Sequence, residues 1–147
     1  MSYDLRIERL IDAPVEEVFH AFTDTEANRE WYADRPGDTV IASCDLRVGG
    51  TWSVAFGPSA DELYREDNEF VEVDAPRKLA YGSTFTNADG RNFHTDLVVT
   101  FEDQGGKTLL TIVQTGFESE KDRNDHQGGW PGFIDRLERL VTTGSAR

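Results

Sequence analysis

Between Asp38 and Thr115 the chain shows no helical period: apolar residues alternate or run in short blocks, and each block ends in residues that tolerate turn dihedrals. The blocks predict strands over Thr39–Cys44, Gly50–Phe56, Leu63–Asp74, Leu79–Phe85, Asn92–Phe101 and Lys107–Thr115. Their joints, "RVGG", "FGPSAD", "DAPR", "TNADGR" and "EDQGGK", are short, which makes successive strands antiparallel neighbours. An antiparallel sheet with one apolar face needs a cover, and that need governs how the rest of the chain is read.

The flanks supply the cover. "YDLRIERLI" sets Leu5, Ile7 and Ile11 against Arg6, Glu8 and Leu10, as in a half-buried strand. Pro14 suits a first helical position, Glu16 and Glu17 favour the exposed amides of a first turn, and Val15, Val18, Phe19 and Phe22 follow at helical spacing. That predicts a short helix ending near Ala21 or Phe22. Thr23 or Asp24 caps a second, ending near Trp31 and Tyr32 before "DRPGD".

After Phe117 the helical period returns, with Ser119 or Asp122 as the cap and Trp130, Phe133, Ile134, Leu137, Leu140 and Val141 as a broad apolar stripe. Pro131 inside this pattern predicts a kink or the true start of the regular helix, and "TTGSAR" reads as a frayed end. The sum is one α+β domain over residues 1–147: a curved antiparallel sheet wrapped around a long C-terminal helix, with two short helices after the first strand. A curved sheet cannot close everywhere on a straight rod, so a cavity is expected between them.

Charge and cysteine content remove several functions. With 28 acidic against 15 basic residues the formal net charge is -13, which repels nucleic acid and anionic membranes. One cysteine, Cys44, allows no internal disulfide and no cysteine-based metal site, in keeping with a cytoplasmic setting. The opening residues, charged by Asp4, predict neither a signal peptide nor a membrane anchor.

The remaining candidates are aromatic. Trp52, Val54 and Phe56 alternate onto one face of their strand, and Tyr81, Ser83 and Phe85 onto one face of theirs. If both faces turn inward, Trp52, Phe56, Tyr81, Phe85, Trp130, Phe133 and Leu137, with Trp31 from the second short helix, wall either a solid core or a ligand site; periodicity alone does not separate the two. Gly49 and Gly50 predict a bend, since "RVGGTW" lacks the length and lysine of a phosphate loop. Gly128 and Gly129 leave room either for a neighbouring element or for a ligand.

No catalytic, metal or cofactor set emerges. His20, His94 and His126 have no metal-ligand spacing. His94 and Asp96 share a strand face, opposite the more apolar face made by Phe93, Thr95, Leu97, Val99 and Phe101, which sends them to solvent. His126, one helical turn before Trp130, is a candidate polar contact at a pocket mouth. Arg47 suits an ion pair with Asp45 or contact with an anionic ligand.

Taken in order, "IDAPVEEVFHAFTD", Trp31, "DLRVGG" with Trp52 after it, "APRKLAY", "VVTFED", "GGKTLLTIVQTGF" and "GGWPGFIDRLERL" resemble the homologues of the C-terminal domain of the activator of heat-shock-90 ATPase, in the START-like (SRPBCC) superfamily. The resemblance runs from about Tyr3 to Val141. It implies the helix-grip fold, matching the order of elements derived above, and a functional cavity between the sheet and the last helix. Binding of a small apolar or amphipathic ligand is the first expectation, through a mouth among the short helices and adjacent loops. A cochaperone-like or regulatory interaction role is the second, and a hydrolase or cyclase using the same cavity the third. A homodimer is compatible with each.

Overall fold

In the computed structural model, which describes residues 2–147, the elements follow the expected order. Strand β1 (Tyr3–Ile11) leads to helices α1 (Val15–Thr23) and α2 (Thr25–Trp31), then to β2 (Thr39–Cys44), β3 (Thr51–Ser59), β4 (Glu62–Asp74), β5 (Lys78–Thr86), β6 (Asn92–Gln104) and β7 (Lys107–Phe117), and last to α3 (Glu120–Thr143). The strands form one antiparallel sheet of order β1-β7-β6-β5-β4-β3-β2. Every hairpin joint expected from the sequence pairs neighbours, and β1 closes the row beside β7. This is the helix-grip, START-like fold.

Local signals set the helix ends. Asp24 caps α2 by accepting from the Ala27 amide at 3.0 Å, and Ser119 caps α3 by accepting from the Asp122 amide at 3.3 Å. Pro14 lies just before the first residue of α1, where its missing N–H leaves nothing unpaired. Gly49 has φ +81°, and a Cβ at Gly50 would overlap the Asp45 carbonyl, so this pair is the expected bend. It joins the sheet through Gly49 N–H to the Phe70 carbonyl at 2.8 Å.

Two expectations change. Helix α3 runs through Pro131 from Glu120, so proline neither starts nor ends it, although the ring removes the bond to the Gln127 carbonyl. The C-terminal tail is docked and not frayed. Gly144 turns it with φ 87°, Ala146 is fully buried, and the Arg147 guanidinium donates to the Ala33 carbonyl at 2.8 Å and the Asp34 carbonyl at 3.3 Å.

The tryptophans bind the layers together. Each is buried, and each indole N–H finds an acceptor. Trp31 donates to the Ala21 carbonyl at 2.9 Å, Trp52 to Asn28 Oδ1 at 3.0 Å, and Trp130 to Gln114 Oε1 at 2.9 Å. Asn28 Nδ2 donates in turn to the Phe22 carbonyl at 3.0 Å, so Trp52 of the sheet is linked through α2 to the end of α1. Two helices too short to be stable alone are thereby fixed over the sheet. Helix α3 packs mainly on β1, α1 and α2. Its N-terminal half stands off from β3, β4 and β5.

Candidate functional site

The stand-off is a cavity of about 640 Å³, within the range of small-molecule sites. Its walls are Phe56 of β3, Tyr64 of β4, Phe85 of β5 and Phe93 of β6 on the sheet side, and His126, Gly129, Trp130 and Phe133 on the helix side. Asn87, Ala88, Asp89 and Arg91 of the β5–β6 loop, with Lys121 and Asp125 of α3, form the solvent-facing rim. The opening of this cavity lies at that loop and the start of α3, while Tyr32, Asp34, Arg35 and Asp38, beside the short helices, border a second hollow that adjoins it.

Core and cavity divide the same strands along their length. Trp52 and Tyr81 are nearly or fully buried; Trp52 lies against Phe22 of α1 and Asn28 of α2 and stacks on Phe70 with centroids 6.0 Å apart and planes at 7°. Phe56 and Phe85, four residues further along each strand, reach the cavity. Of the residues singled out from sequence, Phe56, Phe85, Trp130, Phe133 and His126 are brought together around the void. Trp31, Trp52, Tyr81 and Leu137 are packed in the core and do not line it. Arg47 is exposed and held by Asp45 at 2.7 Å, the structural ion pair that its neighbour in sequence allowed, and it too is absent from the walls.

Gly128 and Gly129 resolve in the same way. A Cβ at either position would meet no atom within 4 Å, so close approach of another element does not explain them. Gly129 faces the cavity, and both glycines line a second hollow of about 630 Å³ that shares Phe56, Tyr64 and Phe133 with the first.

The floor is polar, and sequence reasoning missed it. Asn68 of β4 lies opposite Ser83 of β5, and Ser83 lies opposite Thr95 of β6. Thr95 Oγ1 accepts from Gln114 Nε2 of β7 at 2.9 Å, and Gln114 Oε1 accepts the Trp130 indole. All four polar side chains are nearly buried, making a row across four strands that ends on α3; Ser83 and Gln114 line the cavity, with Asn68 and Thr95 beside them in the sheet. Asn68 alone has both side-chain amide atoms without a hydrogen-bond partner among the described residues.

Glu66, two residues before Asn68 on the same face of β4, is the charged member of this floor. Its Oε1 accepts from the Tyr32 hydroxyl at 3.1 Å. The carboxyl is enclosed by protein yet keeps accessible surface, because that surface belongs to the cavity. Burial pushes its pKa up to about 7, against the Tyr32 hydrogen bond and the nearby Asn68 amide, which favour the charged form; Asn68 stops short of hydrogen-bond geometry. Tyr32 and Tyr81 are pushed well above the ordinary phenol range by burial and by the negative charge of Glu66.

One cross-strand signal could have found Glu66. Trp52, Val54 and Phe56 face inward, and their partners across the β3–β4 pair are Asn68, Glu66 and Tyr64. Since opposite residues share a face, the inward set on β3 names the inward set on β4. The abundance of acidic residues in the chain hides it.

Around the rim, charges are paired. Arg91 makes two bonds to Asp122, 2.7 and 3.1 Å, joining the β5–β6 loop to the first turn of α3, and Lys121 reaches Asp125 at 2.8 Å. His126 is surrounded by Phe85, Phe93 and Phe117 with centroids at 4.7, 5.5 and 5.3 Å, and burial lowers its pKa despite Asp122 and Asp125. Its imidazole is neutral at pH 7.

The other sequence candidates lie outside the cavity. His94 and Asp96 lie 3.3 Å apart on the solvent face of β6, both largely exposed. His20 is exposed on α1. Burial, then Asp45 and Asp24, push the Cys44 thiol up to about 11, so it is not a nucleophile at neutral pH. Among the described residues no group of three or more His, Cys, Asp or Glu is placed to hold a metal ion. No helix among them is long and apolar enough to cross a membrane.

The same architecture recurs in solved structures. A protein from Chromobacterium violaceum is 24% identical, with a TM-score of 0.80, over 94% of this chain and 96% of that one. An AHSA1-like protein from Aeromonas hydrophila is 24% identical, with a TM-score of 0.76, over 99% of this chain and 96% of that one. DynU16, described as a putative protein in the dynemicin biosynthetic locus, is 22% identical with a TM-score of 0.78; the match covers 98% of this chain and 49% of the other. At these identities the likeness is one of fold. No curated protein matches. The family model described as activator of Hsp90 ATPase homolog 1-like protein matches residues 12–142, nearly the whole sheet and helix: the chain belongs to that family.

Proposed function

We propose that the protein is a cytoplasmic binder of a small amphipathic molecule, held in the cavity between the sheet and the N-terminal half of α3. The observation that carries this reading is the pairing of aromatic walls with a polar floor. Phe56, Phe85, Trp130 and Phe133 offer apolar and π surface, while Glu66 and Ser83 offer polar contacts at the inner end. A cavity that stays empty is apolar, whereas polar groups facing a void call for water or a ligand to partner them. In an empty cavity Glu66, raised to about 7, would be an expensive inclusion with no role in binding.

Native mass spectrometry of gently purified protein tests the reading, together with displacement of a neutral fluorescent probe, N-phenyl-1-naphthylamine. A co-purifying small molecule, or probe binding weakened by Phe133→Ala and by Gly129→Trp, is the expected result. Bare protein that neither binds the probe nor shifts its melting with a lipid and aromatic library would sink it and favour the protein-interaction role.

An enzymatic reading has one observation in its favour. A carboxyl with a pKa near neutrality, facing a cavity, meets the requirement for general acid–base catalysis. Turnover of a cavity ligand that is abolished by Glu66→Gln while binding persists would select it.

A further inference from the structure

The charges around the cavity restrict the occupant further. Four carboxylates, of Glu66, Asp89, Asp122 and Asp125, line it against two basic groups, Arg91 and Lys121. Both basic groups are engaged, Arg91 by Asp122 and Lys121 by Asp125. Lined by Phe85 and Phe93, His126 contributes no positive charge at neutral pH. Among the described residues, a carboxylate or phosphate headgroup reaching the floor would find no free cation and would face Glu66 directly.

A cation meets the opposite conditions. Among the described residues the hydrogen bonds of Glu66 engage only Oε1, through Tyr32. The adjoining Asn68 amide is buried and unpartnered, and Phe56, Tyr64, Phe85, Trp130 and Phe133 present aromatic rings to the same space. Rings attract cations through their negative faces, and the attraction grows when water is excluded. The protein's net charge of -13 draws cations toward the mouth.

We propose that the cavity selects a cationic amphiphile, an apolar body bearing one amine, protonated or quaternary, whose head lies against the Glu66 carboxylate. This rests on the binding function proposed above. The apolar body lies between Phe85 and Phe93 on the sheet side and Trp130 and Phe133 on the helix side. No proton needs to leave the ligand: the amine binds the ionised carboxylate, and protonated Glu66 must first release its proton to solvent.

Three naphthalene probes of similar size separate this proposal from the reading beneath it: naphthylmethyl-trimethylammonium, naphthylmethanol and naphthylacetate. Calorimetry on the intact protein at about pH 8, where a group titrating near 7 is ionised, should give the cation at least about tenfold tighter affinity than the alcohol, with the acetate weakest. Equal affinities, or preference for the acetate, overturn the cationic class and leave the cavity function standing. Binding of none of the three removes both. Glu66→Gln should bring cation and alcohol within about twofold of each other. A cation preference that survives that substitution overturns the role of Glu66.

Because Glu66→Gln sits in the packed floor, a second measurement on the unmodified protein keeps the test independent of folding. The quaternary probe cannot titrate, so any pH dependence belongs to the protein. Its affinity should rise by about tenfold per pH unit below the Glu66 pKa and flatten above it, while the alcohol stays level. The other titratable and charged groups around Glu66 are Tyr32 beyond α2, Tyr64 on β4, Tyr81 on β5, His126, Lys121, Asp122 and Asp125 on α3, and Asp89 and Arg91 of the loop. His126 would act in the same direction if it protonated, so the rise must persist in His126→Gln. A flat profile, or one that disappears with His126, overturns the proposal.

Discussion

The Tyr32 hydroxyl, just beyond the end of α2, donates to the Glu66 carboxylate on β4 at 3.1 Å, joining the short helices to the cavity floor by a single polar contact. The bond is not strong enough to offset burial, and Glu66 titrates near 7 against an ordinary value of 4.5. In the unfolded chain the proton leaves first. Stability from this group is therefore fully present below pH 4.5 and is lost as pH rises through 7. His126, lowered from 6.5 by burial, works the other way: its contribution is present above pH 6.5 and is lost as pH falls through its folded value.

Glu66→Gln should remove the alkaline loss. We expect the variant to be more stable than the parent by about 1–3 kcal/mol above neutrality, the lower figure allowing for solvent in the cavity, with the gap shrinking toward pH 5. Urea titrations at about pH 8 and about pH 5 measure it. An equal difference at both would mean that Glu66 is ionised in the fold throughout.

Trp130→Phe keeps an aromatic wall but deletes the donor to Gln114. The Gln114 side chain is nearly buried, with 3% of its surface exposed, so its acceptor is left without a protein partner at the cavity floor. The expected loss is about 1–3 kcal/mol of unfolding free energy. Restoration to the parent value by Gln114→Leu in the same chain would show that the unpaired amide, and not the ring volume, sets the loss.

The docked tail gives a third prediction. Arg147→Ala removes both bonds to the loop after α2, and because the guanidinium is partly solvated the expected change is about 1 kcal/mol. Ala146→Glu buries a charge at a fully enclosed position and should lower the melting midpoint well beyond Arg147→Ala. A calorimetric scan that ranks the two in the reverse order would mean that the tail is not docked in solution.

Much of this architecture is legible because its signals are local. The strands lie within a few residues of where alternation and turn chemistry put them, Asp24 and Ser119 cap the helices that follow, and Gly49–Gly50 is the bend. The aromatic alternation also separates inward from outward faces: His94 and Asp96 are solvent-facing as the apolar side of β6 implies.

What failed depended on distance along an element or across several. Trp52 and Phe56 share a face, but only the placement of the helices decides that Trp52, covered by α1 and α2, is core and Phe56, opposite Phe133 of α3, is wall. The row from Asn68 to Gln114 needs the registers of three strand pairs at once, and Glu66 differs in composition from none of its acidic neighbours. The tail misleads for a related reason: "TTGSAR" has the composition of a loose end, and the acceptors that hold Arg147 lie more than a hundred residues earlier.

Helix α3 lacks one rung of its ladder at Pro131, two residues after the pair Gly128 and Gly129, which are themselves poor helix formers. The stretch before this seam adjoins the void, while the stretch after it carries Ile134 and Leu137 into the core. The rod is thus clasped at one end by Arg91 and Asp122 and rooted at the other among core side chains, with the chamber lying under the length between them.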